Sequence, residues 1–338
     1  MGGLYDPEFV ERLRRGVDAL LPRWGFGATA SATLLTVSEN ATFRVNGADG
    51  APLAVVRVHR PAYHRVEEIE SELAWIEALR ADAVVATPEP YRLLDGGRIA
   101  GFEDVGEIRQ AVAFGFVPGA EPEPGADLSP GFRELGAIGA RLHQHARGWR
   151  RPPGFVRKSW NVETILGDDP HWGRWQDVPG LDAEARRLLG RCADALADRL
   201  GEYGTGPERF GLVHADLRLA NLLVDDRTLT VIDFDDCGFG WYGFDFAAAV
   251  SFLEEKPWVP ALLEAWCEGY RTLASLDEED ALMIPVFVML RRMQLTAWLA
   301  THAETPTAAE FGGGYLAGTE RLARAFLASG SPFGAASA

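Results

Sequence analysis

The sequence predicts an α+β protein with two lobes, a small N-terminal lobe of antiparallel strands with one long helix and a larger, mostly helical C-terminal lobe. Three observations support this. Short β-type runs fill the first third of the chain around one stretch of helical spacing, residues 66–80. Helical spacing dominates the remainder, and the turn-rich stretch 118–125 separates the two patterns. We therefore assign residues 1–118 to the N-terminal lobe and residues 119–338 to the C-terminal lobe.

The elements of the N-terminal lobe follow from apolar spacing and turn residues. A helical stretch is predicted at 7–21 and ends at Pro22, and the turn 46–50 joins two neighbouring strands as a hairpin. The predicted strands are β-branched and apolar runs at 33–37, 42–45, 53–59, 91–94, 99–102 and 111–117.

The C-terminal lobe is predicted to be helical, apart from one β-type patch at 210–234. Its helices are predicted from recurring apolar positions at 131–147, 182–200, 246–255, 260–273, 278–301 and 308–327.

Composition excludes several classes of function. A formal net charge of -16, without a local basic patch, disfavours nucleic acid as a partner. The three cysteines are far apart in sequence, which favours reduced thiols over a disulfide framework or a zinc site.

The sequence also disfavours a membrane location. The longest apolar run, 283–290, is interrupted by Pro285, and residues 1–15 lack the apolar core of a signal peptide. We expect a cytoplasmic protein, and the sequence leaves monomer and homodimer equally open.

One segment carries the candidate chemistry. His214, Asp216 and Asn221 form the pattern His-x-Asp-x-x-x-x-Asn, and Ile-Asp-Phe follows at 232–234. Predicted strands at 222–224 and 229–232 form an antiparallel hairpin centred near residue 227.

Paired positions in such a hairpin sum to a constant, so Asn221 and Asp233 are expected opposite each other. An amide oxygen and a carboxylate together suit Mg²⁺, which nucleotide phosphates and water then complete.

Asp216 precedes Asn221 by five residues and is expected to reach the same site as a free carboxylate that accepts a hydroxyl proton. The candidate catalytic residues are Asp216, Arg218 and His214. For His214 we expect a backbone hydrogen bond that orders the loop rather than a role as a base. Asp225 and Asp226 are interpreted as turn acids.

This segment resembles the aminoglycoside phosphotransferase and choline/homoserine-kinase-like family, which has a protein-kinase-like fold. The likeness extends from about residue 37 to 300 and is most specific at 212–247. It includes Asp245, where the family has an aspartate that braces the catalytic loop. The resemblance implies that Asp216 is the catalytic base, that Asn221 and Asp233 bind Mg²⁺, and that ATP lies between the lobes. It also implies that Phe116 and Val117, with Pro118, form the hinge that holds adenine.

The N-terminal lobe offers an independent check on this resemblance. A kinase-type site needs a strand cation for the phosphates and a helix carboxylate that positions the cation. The predicted strand 53–59 contains no lysine, so Arg57 is the candidate. With Ile69 at zero and about 100° per residue, Glu72 falls near ~300°, inside the apolar stripe of the helix. We therefore predict that Glu72 faces inward and pairs with Arg57. The alternative is that Glu72 flanks the stripe beside solvent.

The loop between the first two strands lies where a kinase-like fold covers the phosphates. It lacks glycine, so phosphate contacts are assigned to Ser38, Asn40 and Thr42 and to backbone amides, with an ordinary polar turn as the alternative.

The acceptor site is the least specified part of the prediction. For Asp235 and Asp236 two roles remain possible, an additional metal contact or a negative charge in the acceptor site. Clustered tryptophans more often belong to a hydrophobic core than to a binding pocket. Their position in the segment before a helix nevertheless favours a lid or a wall of the acceptor site. The candidate acceptor residues outside the metal segment are Trp160, Trp172, Trp175, Arg291 and Trp298. The acidic surroundings favour an amino alcohol, amino sugar or antibiotic-like amine as acceptor.

Three functions compete. The leading hypothesis is an ATP- and Mg²⁺-dependent phosphotransferase acting on a small-molecule hydroxyl. A bacterial stress-response-type protein Ser/Thr kinase is the alternative, although only about a dozen residues between Asp233 and Asp245 leave little room for a long activation loop. A non-catalytic nucleotide-binding module is a third hypothesis, because Arg57 replaces the usual lysine.

Overall fold

The computed structural model describes residues 7–37, 40–123, 127–225 and 228–334. The helices of this part of the chain are α1 (Pro7–Leu20), α2 (Val66–Ala81), α3 (Ser129–Gly148), α4 (Val162–Leu166), α5 (Ala183–Tyr203), α6 (Phe244–Ala249), α7 (Val259–Arg271), α8 (Glu278–Thr301), α9 (Pro306–Phe311) and α10 (Tyr315–Ser329). The strands are β1 (Ser31–Val37), β2 (Ala41–Asn46), β3 (Pro52–Val58), β4 (Ala100–Asp104), β5 (Glu107–Gly115), β6 (Ser159–Trp160), β7 (Phe210–Val213), β8 (Leu222–Asp225), β9 (Thr228–Val231) and β10 (Gly238–Trp241).

The N-terminal half forms a five-stranded antiparallel sheet in the order β1-β2-β3-β5-β4. Strand β3 is therefore central, and Arg57 on it lies between Thr42 of β2 and Val112 of β5. Because β3 is the central strand, the Arg57 guanidinium is shielded from bulk water.

Helix α2 lies between the sheet and the helical half. Its Ile69 and Leu73 pack on Val112 of β5, while Trp75 meets Phe234 edge to face at 5.5 Å between ring centroids. One helix thus joins both halves of the molecule through apolar contacts on two sides.

The sheet differs from the prediction in one element. Residues 91–94 are not a strand. The pairing with β5 is limited to an isolated bridge between Pro90 and Phe114 and to the hydrogen bonds from Tyr91 to Ala113 and from Gly115 to Glu89. Pro88 and Pro90 supply no N–H groups for a ladder, which explains the short pairing.

The helical half has its core around α8, whose residues from Met283 to Leu299 are almost all buried. By length and composition α8 could cross a bilayer, but 89% of its apolar window is buried inside the protein. This burial is typical of a core helix of a soluble protein, which passes the same length and composition test. Cys192, Cys237 and Cys267 are free and buried, as predicted.

Two predicted helices are shorter than expected. The stretch 308–327 is divided into α9 and α10 by Gly312, Gly313 and Gly314, the last with a φ of 82°. Glycine adopts this left-handed backbone without steric cost and so ends the helical run. The stretch predicted at 246–255 is helical only to Ala249.

A three-stranded sheet in the order β6-β10-β7 was not predicted. Its strands have two or four residues, too short for an apolar pattern to reveal. Gly238 permits the pairing, because a Cβ there would lie 2.5 Å from the carbonyl oxygen of Lys158. The antiparallel sheet beside α2 and the mostly helical second half confirm the predicted fold class, whereas the lobe boundary at residue 118 stays a prediction.

Candidate active site

The site is built on the hairpin of β8 and β9. Its register pairs Leu222 with Val231 and Asp225 with Thr228, so that Asn221 lies opposite Ile232 and accepts its N–H at 3.0 Å. The predicted pairing of Asn221 with Asp233 is therefore wrong by one residue. The predicted turn began at Asp225, whereas Asp225 and Thr228 both belong to the ladder.

Asp233 is the first residue beyond this pairing and has a φ of 60°. A left-handed backbone is costly for a residue with a side chain and is retained where the surroundings enforce it, often at functional sites. The Asp233 side chain is 44% exposed and accepts a hydrogen bond from Nη1 of Arg57 at 3.0 Å. It thus faces the space between the sheet and the hairpin.

Asp216 has three polar partners. Nη2 of Arg291 donates to its Oδ1 at 2.6 Å, Nδ2 of Asn221 donates to its Oδ2 at 2.7 Å, and Nε of Arg218 lies 3.3 Å from Oδ2. The sequence did not identify Arg291 as a partner, and α8 brings it to the catalytic loop.

Electrostatics keep Asp216 ionised. Burial by itself raises the pKa of this carboxyl, but Arg218 and Arg291 outweigh that effect and hold the pKa below its ordinary value. The group is therefore charged near neutral pH and can receive a hydrogen bond from a hydroxyl.

The loop before Asp216 is held by Asp245 at the start of α6. Oδ1 of Asp245 accepts the N–H of Ala215 at 2.7 Å, and Oδ2 accepts that of His214 at 3.3 Å. Ala215 has a φ of 66° and is fully buried, so these bonds stabilise a strained backbone beside Asp216. This geometry agrees with the bracing role that the resemblance implies.

Two buried histidines complete the loop's support. The N–H of Asp216 donates to Nδ1 of His214 at 3.3 Å, so His214 is protonated on Nε2, which lies 3.1 Å from the carbonyl oxygen of Ile232. His214 therefore orders the loop, as expected. His143 of α3 donates from Nε2 to Asp245 at 2.9 Å, with its Nδ1 3.1 Å from the hydroxyl of Tyr270.

Arg57 and Glu72 form the ion pair that the helical angle predicts. Nη2 of Arg57 donates to both Glu72 carboxylate oxygens, at 2.7 and 2.6 Å, and Glu72 is fully buried. Burial alone lowers the pKa of Arg57, but Glu72, Asp235 and Asp233 together raise it above its ordinary value. The guanidinium stays charged, and Asp233 shares it with Glu72.

Asn221 and Asp233 fit the divalent cation that the resemblance implies. The Asn221 amide nitrogen is committed to Asp216, which leaves the amide oxygen as the ligand atom, and Asp233 offers an exposed carboxylate. Hard oxygen ligands of this kind suit Mg²⁺. Within the described residues, no group of three or more His, Cys, Asp or Glu side chains could hold a metal ion.

Asp235 is not an exposed acceptor-site charge. It is 5% exposed and accepts a hydrogen bond from Nδ2 of Asn40 at 2.7 Å. Ring nitrogens of His59 and His64 lie 3.4 Å from its two oxygens. Burial raises the pKa of Asp235, but the Arg57 guanidinium and these imidazoles hold it well below its usual range. Asp235 thus joins the sheet to residues 233–237, which we call the metal-type loop.

The predicted phosphate-contacting residues have different surroundings. Ser38 lies outside the described residues. Both ends of the Asn40 amide are used inside the protein, because its oxygen accepts the N–H of Arg60 at 3.1 Å. Thr42 is half-buried on β2 beside Arg57.

The predicted hinge lies just beyond the end of β5. Phe116 and Val117 are half-buried, and the Phe116 N–H donates to Leu53 at 3.3 Å. The adenine contact of Phe116 and Val117 stays a prediction.

All four tryptophans among the acceptor candidates are buried. Trp172 and Trp298 lie near the catalytic carboxylate, since the Arg291 guanidinium is 4.7 Å from the Trp172 ring and the two tryptophan centroids are 6.3 Å apart. Trp160 also belongs to this cluster, since its ring centroid lies 5.3 Å from that of Trp172, and it donates to the carbonyl oxygen of Asp236. Trp175 packs near α5. Burial favours the core interpretation for all four tryptophans, and their role in acceptor binding stays a prediction.

Sequence reasoning missed the loop that follows β3. The hydroxyl of Tyr63 donates to Asp236 at 2.6 Å and accepts from Nε1 of Trp172 at 2.8 Å. Arg60 lies 2.8 Å from His302, which directly follows α8. The sequence does contain a signal for this loop, namely the histidines and the tyrosine that directly follow the strand carrying Arg57.

Comparisons with known proteins agree with this geometry. The phosphotransferase enzyme family, APH, matches residues 33–281. The solved structure of a microcompartment-associated aminopropanol kinase is 46% identical, with a TM-score of 0.85, and the match covers 92% of this chain and 97% of that one. An amicoumacin kinase solved with AMP-PNP and Ca²⁺ is 20% identical, with a TM-score of 0.72 over 94% of this chain and 93% of that one, and shows the fold alone.

Among curated proteins, the amicoumacin kinase of Bacillus subtilis is 28% identical over 200 residues. An uncharacterized protein of Synechocystis is 26% identical over 233 residues. The matches cover 56% and 68% of this chain, and they span 56% and 62% of the lengths of those two relatives. The predicted resemblance is confirmed: the chain belongs to the phosphotransferase enzyme family known as APH.

Proposed function

We propose that this protein transfers the γ-phosphoryl group of ATP, with Mg²⁺, to the hydroxyl of a small amino alcohol. One observation carries the proposal: Asp216 is kept ionised by Arg291 and Arg218 while Asn221 links it to the hairpin that ends in Asp233. A charged carboxylate beside two hard oxygen ligands has the chemistry that phosphoryl transfer to an alcohol requires.

Each residue of the site has a separate role in the proposed reaction. Asp216 accepts a hydrogen bond from the acceptor hydroxyl, orients its oxygen toward the phosphoryl group and takes the proton as the new P–O bond forms. The bond between the γ-phosphorus and its bridging oxygen breaks in the same step, and ADP leaves with that oxygen. Asn221 and Asp233 would hold the metal ion, which would neutralise phosphate charge. Arg57, fixed by Glu72, places a permanent positive charge beside Asp233.

An amino alcohol is favoured as acceptor by similarity and by charge. The aminopropanol kinase is 46% identical over almost the whole chain. The formal net charge of -16 attracts a cationic acceptor. The Asp236 carboxylate is connected to Trp172 by the Tyr63 hydroxyl, which donates a hydrogen bond to Asp236 and accepts one from Trp172. We place the reaction in the cytoplasm, a reducing compartment that suits the three free, buried cysteines.

The protein-kinase alternative receives less support. The chain between Asp233 and Asp245 is occupied by a buried turn and by β10, which pairs with β6 and β7. A segment in a ladder on both sides cannot act as a long phosphorylated loop without losing that sheet.

The test is transfer from γ-labelled ATP to a panel of 1-amino-2-propanol, 3-amino-1-propanol, ethanolamine, choline, amicoumacin and an aminoglycoside, with wild type and Asp216→Asn. We expect labelled amino alcohol phosphate with wild type and at least about 100-fold less with the variant. Equal labelling by both proteins contradicts the mechanism. Labelling of a protein substrate alone supports the alternative.

A further inference from the structure

A buried guanidinium lies where α2 meets the metal-type loop. Arg157, in the irregular segment before β6, is 5% exposed. Its Nε donates to the carbonyl oxygen of Cys237 at 2.6 Å, its Nη1 donates to that of Glu68 at 2.8 Å, and its Nη2 donates to that of Asp235. All three nitrogens of one side chain are therefore bound to backbone.

The three carbonyl groups belong to two segments whose carboxylates both contact Arg57, namely α2 with Glu72 and the loop that begins at Asp233. Asp235 and Cys237 follow Asp233 in the chain, and Glu68 lies four residues before Glu72 on α2. Residues four apart share one helix face, so the Glu68 carbonyl is about one turn from the Glu72 backbone. Arg157 thus fixes the distance between the helix that carries Glu72 and the loop that carries Asp233.

The arrangement is costly for mere packing. Burial disfavours the charge of Arg157, but the nearby carboxylates of Glu72, Asp235 and Asp236 raise its pKa above the ordinary value, so the guanidinium stays charged. Taking this charge out of water remains expensive. An apolar side chain of similar volume avoids that cost but cannot bind three carbonyl oxygens. Lysine cannot replace the planar fork either, since its single ammonium does not reach three divergent acceptors.

We propose that Arg157 is a positioning residue that sets α2 against the metal-type loop, so that Arg57 contacts Glu72 and Asp233 at the same time. The inference rests on the proposed function, because it takes Asn221 and Asp233 as the metal ligands. Arg157 touches neither substrate nor metal and acts through the backbone of its neighbours.

The test compares Arg157→Lys with Arg292→Lys. Arg292 is a matched control, since it too is a buried arginine, 2% exposed, but pairs with Glu254 and Thr319 on the far side of α8. Mn²⁺ binding is measured by electron paramagnetic resonance in the presence of AMP-PNP. The kcat and the acceptor KM are measured with 1-amino-2-propanol as acceptor, at a temperature where both variants are folded.

For Arg157→Lys we expect Mn²⁺ affinity and kcat to fall by about 10- to 100-fold, the range for groups that orient metal ligands, with the acceptor KM within about threefold of wild type. Arg292→Lys is expected to lower Tm and leave Mn²⁺ affinity unchanged. Wild-type Mn²⁺ affinity in folded Arg157→Lys overturns the inference.

A second variant separates positioning from general damage. Arg157→Ala is assayed with millimolar methylguanidinium, which fits the vacated place, and with methylammonium, which does not. Recovery of Mn²⁺ affinity with methylguanidinium alone supports the inference, and equal behaviour with both cations contradicts it. If wild type phosphorylates no amino alcohol while Arg157→Lys still weakens Mn²⁺ binding, the acceptor assignment fails and the Arg157 inference stands.

Discussion

Arg291 donates a 2.6 Å hydrogen bond from Nη2 to Oδ1 of Asp216, across 75 positions of sequence. This contact ties the middle of α8 to the catalytic loop. It also explains how a buried carboxylate can remain charged, since Arg291 is itself only 2% exposed and its charge is not screened by water.

Removal of this contact is expected to impair catalysis more than folding. Arg291→Lys keeps a positive charge but loses the flat guanidinium that also contacts Trp172 and Gln294. We expect kcat to fall by about 10- to 100-fold, with little change in the KM of ATP. Steady-state kinetics check this, and a wild-type kcat for Arg291→Lys contradicts the role of the contact.

Glu72 is expected to matter for both stability and nucleotide binding. Glu72→Gln leaves the Arg57 guanidinium buried with only Asp233 and Asp235 as counter-charges. We expect the free energy of unfolding to fall by about 3 kcal/mol, since loss of one partner of a buried ion pair is strongly destabilising. Urea denaturation measures it, with Glu70→Gln as control, because Glu70 pairs with Arg98 on a solvent-accessible side of α2 and such pairs contribute little to stability. Equal midpoints for the two variants argue against the pair.

Asp236 is expected to recognise the amine of the acceptor rather than its hydroxyl. Asp236→Asn removes a negative charge while keeping an acceptor for the Tyr63 hydroxyl. With 1-amino-2-propanol as acceptor, we expect the acceptor KM to rise by about 10-fold or more, as for loss of a hydrogen bond to a charged group. The KM of ATP and the weak turnover of 1,2-propanediol serve as controls. A parallel rise for the amine and the diol contradicts amine recognition.

Stability is expected to fall when the pH drops below 7. Burial lowers the pKa of His143 from its ordinary value of 6.5, even though Asp245 opposes the shift, and burial also lowers that of His59. The unfolded chain therefore binds more protons than the native protein at mildly acid pH, and stability decreases as pH falls through about 6.5. The loss is about 1.4 kcal/mol per pH unit for each such histidine.

Thermal unfolding between pH 7.5 and 5 measures this dependence. His143→Gln keeps a donor for Asp245 but does not titrate, so its Tm should depend less on pH than that of wild type. Identical slopes for the two proteins contradict the assignment.

Some parts of the site were predictable because local periodicity determines them. The helical angle of Glu72 on 66–80 correctly predicted an inward carboxylate, and an arginine on a central strand was its natural partner. The existence of the β8–β9 hairpin followed equally from two short apolar runs. Its register did not, since the sequence does not reveal which polar residues around 225–228 belong to the ladder.

Other parts depend on the approach of distant segments. Asn40 donates a hydrogen bond to Asp235, which lies 195 positions away in the sequence, and Arg157 donates one to Glu68, which lies 89 positions away. No local pattern distinguishes these polar residues from ordinary loop residues. Arg291 lies on an apolar helix where a lone charge signals a partner, but the sequence does not name Asp216 as that partner.

The central claim is that Asp216 receives the acceptor hydroxyl beside a metal site formed by Asn221 and Asp233. The most direct measurement is the single-turnover rate of phosphoryl transfer from saturating Mg-ATP to 1-amino-2-propanol, in wild type and Asp216→Asn. We predict transfer by wild type and a rate at least about 100-fold lower in the variant, with Mg-ATP affinity retained. A variant that transfers phosphate at the wild-type rate would contradict this role of Asp216.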